Sequence, residues 1–340
     1  MIRKILLFCL VAASLVLASC QSSTPTSAAT QGLPATPTGA ARASPLPEPT
    51  AQAPTTPPKR TLVVCEGQEP QSLYIYGNSA RGMWSILEAV YDGPFDTRNF
   101  SAQPVILESL PSLAGGDAAL APVDVKAGDN VVDANGSLVA LAKGTQVSPS
   151  GCSGDACNSP WDGKKALKLD QLKVTFKLKP GIQWSDGQPL TAADSVYSFD
   201  LASAPETPVS KNIIDRTVSY KALDEQTVEW VGLPGYVPSQ LNTLFWLPLP
   251  KHAWGSIKPA DLLTAPDSTQ KPLGWGPYVI DSWIAGDHIS LHKNPLYFRA
   301  GEGLPTLKAE GREPAYLTTA EKMGLGRAGL ESIETIEETV

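Results

Sequence analysis

The sequence predicts a mixed α/β fold, in which strands and helices are interspersed along the chain without an internal repeat. Leu172 to Leu178 alternates apolar residues with Lys and Thr, the period of a half-exposed strand. Residues 82–91 carry apolar side chains at helical spacing, namely Met83, Ile86, Leu87 and Val90. These two periods in one chain indicate that it combines strands and helices, as a mixed α/β fold does.

Length and charge restrict the class of protein. The 340 residues are enough for one large domain or two ordinary ones, so a buried core can form without metals or many disulfides. Lys and Arg number 27 against 34 Asp and Glu, which gives a formal net charge of −7. An acidic chain is poorly suited to binding phosphate backbones, and we expect no nucleic-acid partner.

The first residues predict export and a lipid anchor. A short basic start is followed by an apolar run from Ile5 to Ala18, which is typical of a signal peptide over residues 1–19. Leu17-Ala-Ser-Cys20 resembles a bacterial lipobox, in which Cys20 becomes the lipidated first residue. The alternatives are an ordinary signal peptide or a short membrane helix, although the run is shorter than the ~20 residues that a spanning helix needs.

Residues 20–59 predict a tether behind this cysteine. Between residues 21 and 58, 29 of 38 positions are Pro, Thr, Ala or Ser. Such a composition buries too little apolar surface to offset the entropy of ordering, and its prolines favour extended geometry. The tether would hold a folded body away from a membrane surface, and a Thr/Pro-rich stalk is the alternative.

Three cysteines remain in the predicted body. Cys152 and Cys157 flank a short Gly-containing loop, and in an oxidising compartment they predict a local disulfide. A zinc site is a poor alternative to this disulfide, because no second Cys or His pair has the spacing of metal ligands. Cys65 ends an apolar run and is expected to be a buried small hydrophobe.

Further strands and a second helix follow in order. Thr61 to Cys65 reads as a strand, and Asn135-Gly136 indicates a hairpin turn within a polar region from about residue 114 to 165. Thr191 with Asp194 three residues later predicts a helix start. Val218 to Trp230 and Val279 to His292 predict two antiparallel pairs.

Catalytic and metal-binding patterns are weak. The motif G-x-S-x-G is absent, and His252, His288 and His292 have no evident nucleophile partner. His288 and His292 could face one side of a strand, but a third metal ligand at plausible spacing is missing. Gly324 to Gly329 matches G-x-G-x-x-G without a preceding strand. We therefore expect no enzyme activity, no catalytic residue, no metal and no cofactor.

The segment from Phe176 to Phe199, with Trp184-Ser-Asp-Gly187 and Thr191 to Asp194 inside it, resembles the hallmark region of extracellular solute-binding protein family 5. These are the oligopeptide, dipeptide and nickel receptors of ABC importers. Further segments follow in the family's order: Glu69 to Leu73, Tyr220 to Glu229, Leu249 to His252, Gly274 to Tyr278 and Leu291 to Tyr297. The resemblance covers roughly residues 61–300.

The resemblance implies a periplasmic-binding-protein-like type II lobe with a small β-rich companion domain. It also implies a hinged, two-lobed receptor that captures a peptide or other small solute and delivers it to ABC permease subunits. Six residues match segments that line the cleft in the family: Glu69, Pro70, Gln71, Trp275, Gly276 and Tyr278. Residues 184–187 match a structural turn behind the cleft, and Tyr74 stands where the family usually has Asp.

The implied organisation has four parts after the tether. They are the first lobe's initial part (60–96), the companion domain with an insertion (97–168), the first lobe's returning part (169–303) and a divergent acidic tail (304–340). Family members usually run to some 500 residues, so we expect that the second lobe is missing and that the tail is partly helical. Ligand capture by this chain is then expected to be weak.

The leading hypothesis is therefore a monomeric solute-binding component of an ABC importer, anchored to the outer face of a bacterial membrane through Cys20. The alternative is a surface lipoprotein that uses a single lobe as a docking or scaffold module.

Overall fold

The computed structural model describes five stretches of the chain: residues 60–77, 80–98, 100–152, 154–301 and 333–339. The expected signal peptide, the lipid site at Cys20, the tether and the segment from Gly324 to Gly329 lie outside the described residues. No helix in these five stretches is long and apolar enough to cross a membrane.

The strands, in chain order, are β1 (Arg60–Cys65), β2 (Phe95–Arg98), β3 (Ser101–Pro104), β4 (Ala118–Val125), β5 (Asn130–Val132), β6 (Leu138–Ala140), β7 (Gln146–Val147), β8 (Ser159–Pro160), β9 (Leu167–Lys177), β10 (Thr217–Ala222), β11 (Thr227–Gly232), β12 (Tyr278–Ile284), β13 (His288–Lys293) and β14 (Ile333–Thr339). The α-helices are α1 (Arg81–Val90), α2 (Ala192–Ser203), α3 (Lys251–Trp254) and α4 (Pro266–Thr269). Short 3-10 turns cover Asp155–Cys157, Ile214–Arg216, Leu241–Leu244 and Asp261–Leu263.

Two four-stranded sheets form the main body. The first has the order β1-β14-β13-β12, with β1 and β14 parallel and the other neighbours antiparallel. The second has the order β10-β11-β9-β4 and is antiparallel throughout. One apolar core takes side chains from both sheets and from α1, among them Ile280, Leu291, Phe176 and Val228. The mixed α/β fold expected from the sequence is confirmed.

The predicted helix and hairpins are confirmed at the places where local sequence signals were strong. Helix α1 buries Met83, Ile86, Leu87 and Val90, the four residues at helical spacing. The β5–β6 hairpin turns at Gly136, whose φ is +79°, a conformation that glycine adopts at little cost. Strands β10 to β13 also form the two expected antiparallel pairs.

Helix α2 begins with the predicted cap. The Thr191 N–H donates to the Asp194 carboxylate at 2.9 Å, as in a capping box. The same carboxylate accepts hydrogen bonds from Trp184 Nε1 at 3.3 Å and from the Lys251 N–H at 3.1 Å. Burial raises the pKa of Asp194 against the opposing effect of these hydrogen bonds. This one carboxylate therefore joins α2, the turn at Trp184 and the start of α3.

The expectation of a partly helical tail is wrong for residues 333–339. They form β14, which lies between β1 and β13, so that both of its edges pair with a neighbouring strand. The segment contains Ile333, Thr335, Ile336 and Thr339, β-branched residues that favour strands. Pairing with strands far away in the chain outweighs the helical tendency of its glutamates.

The expectation that Cys65 is buried is also wrong, because this residue is exposed at the end of β1. Side chains alternate across a strand, and in β1 Leu62 and Val64 pack toward the core. Thr61, Val63 and Cys65 consequently share the exposed face.

Residues 125–169 contribute a separate small core beside the main one. Strands β5 to β8 form two short hairpins, and the core beneath them includes Val131, Leu141 and Trp161. A disulfide joins Cys152 to Cys157 in this region. Strand β4 is not confined to it, because it pairs along its length with β9 of the second sheet. The predicted boundary at residue 168 falls within β9, and the division into domains stays a prediction.

Glu229 lies at the centre of the second sheet and is buried. Its carboxylate pairs with Lys173 on β9 at 3.0 Å and with Lys221 on β10 at 3.2 Å. Burial by itself raises the pKa of Glu229, but hydrogen bonds and charge from the two lysines outweigh it and hold the pKa below its ordinary value. The ion pairs thus connect three adjacent strands.

We predict that Glu229→Gln lowers the free energy of unfolding by about 1 kcal/mol at pH 7, because the lysines are half exposed and partly screened. A carboxyl group with a lowered folded pKa stabilises the fold above its unfolded pKa, and this contribution is lost as the pH falls through the folded pKa. Urea unfolding of both proteins from pH 7 to pH 3 should show the difference shrinking.

Glu108→Gln is the matched control, because Glu108 pairs with one lysine, Lys177, at 2.9 Å and is more exposed. Its effect at pH 7 should be smaller. A Glu229→Gln effect that stays constant down to pH 3 would contradict the electrostatic explanation.

Candidate ligand-binding site

Glu69 follows β1 and is anchored to the hairpin between β12 and β13. Its carboxylate accepts a hydrogen bond from Trp283 Nε1 at 2.6 Å and another from the Gly286 N–H at 3.0 Å. Glu69 is half-buried, whereas Pro70 is buried and Gln71 is exposed. The predicted cleft segment thus presents one carboxylate and one amide near the surface, held at a fixed place by the hairpin tip.

Trp275 occupies the opposite kind of environment, because it is completely buried. Its ring packs against Tyr91 at 5.0 Å and against Trp184 at 5.3 Å between ring centres. Its indole N–H donates to the Asp92 carbonyl at 2.8 Å. The ring of Trp275 therefore packs within the core, and its indole N–H is hydrogen-bonded there.

The glycines on either side of Trp275 allow a close approach to the end of α1. A Cβ added to Gly274 would lie 2.0 Å from the Val90 carbonyl oxygen, and one added to Gly276 would lie 2.6 Å from it. The Gly276 N–H donates to that oxygen at 2.7 Å, and the Gly276 carbonyl accepts from Asn294 Nδ2 at 2.8 Å. The backbone of this turn therefore packs directly against the end of α1.

Tyr278 begins β12 and is 8% exposed. Trp283, which holds Glu69, lies five residues further along the same strand, roughly 16 Å away at ~3.3 Å per residue. The structure consequently places the six predicted ligand residues in two groups. Glu69, Pro70 and Gln71 lie in the segment that contacts the hairpin tip, while Trp275, Gly276 and Tyr278 lie inside the body at the other end of β12. Contact of any of them with a ligand stays a prediction.

Sequence reasoning did not identify Trp283 and Gly286 as partners of Glu69. The hairpin itself was predicted, since Gly286-Asp287 follows a strand and Gly286 has a φ of +73°. Its contact with Glu69 spans more than 200 residues of sequence and had no local signal.

Each histidine in the described part of the chain contacts one aspartate. The distances are 2.8 Å for His252 Nε2 to Asp186, 3.1 Å for His288 Nδ1 to Asp287 and 2.6 Å for His292 Nδ1 to Asp281. Asp186 also accepts the Gln188 N–H at 3.1 Å, which is the turn role expected for it. Among the described residues, no group of three His, Cys, Asp or Glu is placed to hold a metal ion.

Two depressions of the described surface are lined by other residues. One, of about 240 Å³, lies beside Ile182, Leu190 and Gln226. The other, of about 500 Å³, lies over the small core beside Trp161 and Lys168. Neither of these two depressions is lined by a predicted ligand residue.

Residues 161–316, somewhat less than half of the chain, match the family described as bacterial extracellular solute-binding proteins, family 5 Middle. The resemblance inferred from the Phe176 to Phe199 motif is thereby confirmed.

Several curated proteins align with parts of the chain. A putative ABC transporter peptide-binding protein of Brucella ovis is 36% identical over 133 residues, which is 38% of this chain and 25% of that protein. A probable deoxycholate-binding periplasmic protein of Escherichia coli K12 is 32% identical over 149 residues, covering 37% and 26% of the two chains. Both relatives are named as binding proteins, and the chain spans about a quarter of the length of each.

Solved structures share the fold at lower identity. The oligopeptide-binding protein AppA from Bacillus subtilis, in complex with a nonapeptide, superimposes with a TM-score of 0.51 and 17% identity. The substrate-binding protein CtaP of Listeria monocytogenes gives a TM-score of 0.50 and 19% identity. In both, the match covers 83% of this chain and 40% of the other. The type II binding-protein fold is confirmed, and the chain spans less than half of either structure.

We predict that Gly276→Ala destabilises the protein by about 2–3 kcal/mol, because the new methyl group would meet the backbone of Val90 rather than a movable side chain. Gly67→Ala is the matched control, since a Cβ at Gly67 meets nothing within 4 Å. Thermal and urea unfolding should separate the two variants clearly. Equal stability of the two would show that the turn tolerates displacement from α1.

Proposed function

We propose that this chain acts as the solute-binding component of an ABC importer, capturing peptides or related small solutes for a membrane permease. The observation that carries the proposal is the family 5 match over residues 161–316. The fold shared with a nonapeptide-binding protein supports it. Because the chain covers a quarter of the curated relatives, the activity of the whole proteins is transferred here as a proposal.

Glu69 is the best candidate for direct contact with a ligand. Both donors to its carboxylate within the described residues, the Trp283 indole and the Gly286 amide, are neutral groups that fix its position without cancelling its charge. A half-buried carboxylate held in this way can pair with the ammonium group of a peptide through a charge-assisted hydrogen bond. Gln71 is exposed beside it and can supply an amide.

We further propose a supporting role for the second predicted group. Trp275 and Gly276 fix the start of β12 on α1, and Tyr278 continues this strand toward Trp283. They would then position the hairpin tip on which Glu69 rests. This role requires their packing but no contact with the solute.

The names of two relatives give two ligand classes to compare. The Brucella ovis relative is named as peptide-binding and the Escherichia coli relative as deoxycholate-binding. We propose a peptide with a free amino terminus, because an anionic site disfavours the carboxylate of a bile acid. Isothermal titration with peptides of two to nine residues, their N-acetylated forms and deoxycholate compares these classes directly.

We predict that Glu69→Gln weakens peptide binding roughly ten- to a hundredfold, the loss expected for a hydrogen bond to a charged group. N-acetylated peptides should bind equally to both proteins. Glu66→Gln, in the same segment, is the matched control and should leave affinity unchanged. AppA of Bacillus subtilis with its nonapeptide serves as the positive control.

Absence of binding by the unaltered chain, in an assay where AppA binds its nonapeptide, would overturn capture by this chain. It would favour the alternative of a single-lobe docking module, for which a purified protein partner would then be sought.

We also propose that the protein is anchored outside the cytoplasm through a lipid on Cys20, supported by Leu17-Ala-Ser-Cys20 after the apolar run. Cys20→Ala should abolish incorporation of a labelled fatty acid and shift the protein from the membrane fraction to the soluble one. Cys9→Ala, within the apolar run, is the matched control and should retain both the label and the membrane location. Labelling that persists in Cys20→Ala would contradict the assignment.

A further inference from the structure

A depression of about 500 Å³ lies over the small core of residues 125–169, and none of the predicted ligand residues lines it. Pockets that bind small molecules commonly have volumes of roughly 300–1,000 Å³ and are lined mainly by apolar side chains with a few polar groups. The apolar part of this lining consists of Val147, Pro149, Pro160, Trp161, Ala166 and Leu167. The depression therefore has the size and composition of a small-molecule site.

Trp161 forms the floor of the depression and is fixed by hydrogen bonds. Its indole N–H donates to the Lys165 carbonyl at 2.9 Å. Its backbone N–H donates to the Thr145 carbonyl at 2.9 Å, and its own carbonyl accepts from the Gly144 N–H at 2.8 Å. Trp161 is 8% exposed and packs in the small core. It therefore offers an apolar surface at a fixed position, with its one polar side-chain atom already bonded.

The segments around this floor are joined to one another. After β7, the Ser150 N–H donates to the Lys168 carbonyl of β9 at 2.8 Å. The Ser150 hydroxyl also bonds to the carboxylate of Asp170 on the same strand. The loop that leads from β7 to β8 is closed by the disulfide between Cys152 and Cys157. Because these contacts hold the depression in shape without a ligand, binding there costs little ordering entropy.

Two lysines bring positive charge to the rim. The ammonium group of Lys165 lies 4.0 Å from the Asp162 carboxylate, and that of Lys168 lies 3.6 Å from Asp124. Exposed ion pairs of this kind contribute little, so each lysine can turn toward an incoming anion at small cost. Asp162 also lines the depression, and its carboxylate accepts the Lys165 N–H at 2.8 Å and the Lys164 N–H at 2.9 Å. These backbone hydrogen bonds lower the pKa of Asp162 and direct its charge into its own turn.

We propose that this depression binds a carboxylate attached to an apolar group, with the apolar group packed on Trp161 and the carboxylate paired with Lys165 or Lys168. An apolar group displaces water from the floor, and an ammonium group forms a charge-assisted hydrogen bond with a carboxylate. A free organic acid and the C-terminal residue of a peptide share this chemistry. Glu69 does not line the depression, so the site does not depend on solute capture at Glu69.

The test uses phenylpropionate, its neutral amide and phenylpropylamine, which share one apolar group and differ in charge. Ligand-observed NMR titration of the full chain should show saturable binding of the carboxylate at millimolar concentration and weaker binding of the other two. Acetylated alanyl-phenylalanine distinguishes the sources: binding as tight as that of phenylpropionate indicates a peptide terminus, and weaker binding indicates a free acid. Absence of saturable binding by phenylpropionate, or equal binding of the three charge forms, overturns the proposal.

Variants at exposed positions locate the site without disturbing the small core. Lys165→Met and Lys168→Met should each weaken binding of phenylpropionate about two- to fivefold, and the double variant about tenfold. Ala166→Asp places a carboxylate in the lining and should weaken binding at least as much. Lys164→Met is the matched control, because Lys164 lies in the same turn but does not line the depression. Glu69→Gln should also bind phenylpropionate normally. Undiminished binding by both Ala166→Asp and the double lysine variant would contradict this location.

Discussion

Burial of Trp275 is the interaction on which the rest of the structure depends. Its ring lies between Tyr91 and Trp184, and its indole N–H bonds to the Asp92 carbonyl. The flanking glycines bring its backbone onto the last turn of α1, at Val90. One residue thus joins the helix, the strand that follows it and the turn at Trp184. From there Asp194 continues the connection to α2 and α3 through its hydrogen bonds.

The same packing determines where the candidate site lies. Strand β12 begins three residues after Trp275 and ends at the hairpin whose Trp283 and Gly286 bind Glu69. Backbone hydrogen bonds to β13 fix the register of β12. The position of one end of β12 therefore determines the position of its other end. The location of Glu69 consequently follows from aromatic packing at the opposite end of the strand, where no ligand contact is required.

Local features of the fold could be predicted from the sequence, and non-local ones could not. Helix α1 and the β5–β6 hairpin were found because periodicity and Asn-Gly turns act within a few residues. Cys65 was wrongly predicted to be buried, because in a continuous apolar run the sequence does not show which face of the strand is buried. Strand β14 was not predicted, because the strands that pair with it are distant in sequence. Trp275 was ambiguous for a similar reason. An aromatic residue between glycines has the same local pattern in a ligand-binding turn and in a packed one, and the packing of the two glycines on Val90, far away in the chain, had no local signal.

Four carboxylates in the described part of the chain can be compared, and among these four Glu69 best fits the proposed contact with a charged solute. Glu229 is matched by two lysines, and Asp92 accepts from Arg299 at 3.0 Å and from the Tyr297 hydroxyl at 2.6 Å. Asp194 has neutral N–H donors but is buried, where desolvation disfavours its charge. Glu69 has neutral donors and is half exposed, so water still stabilises the charge while two N–H groups fix its direction. Fixed position with accessible charge is what recognition of an ammonium group requires.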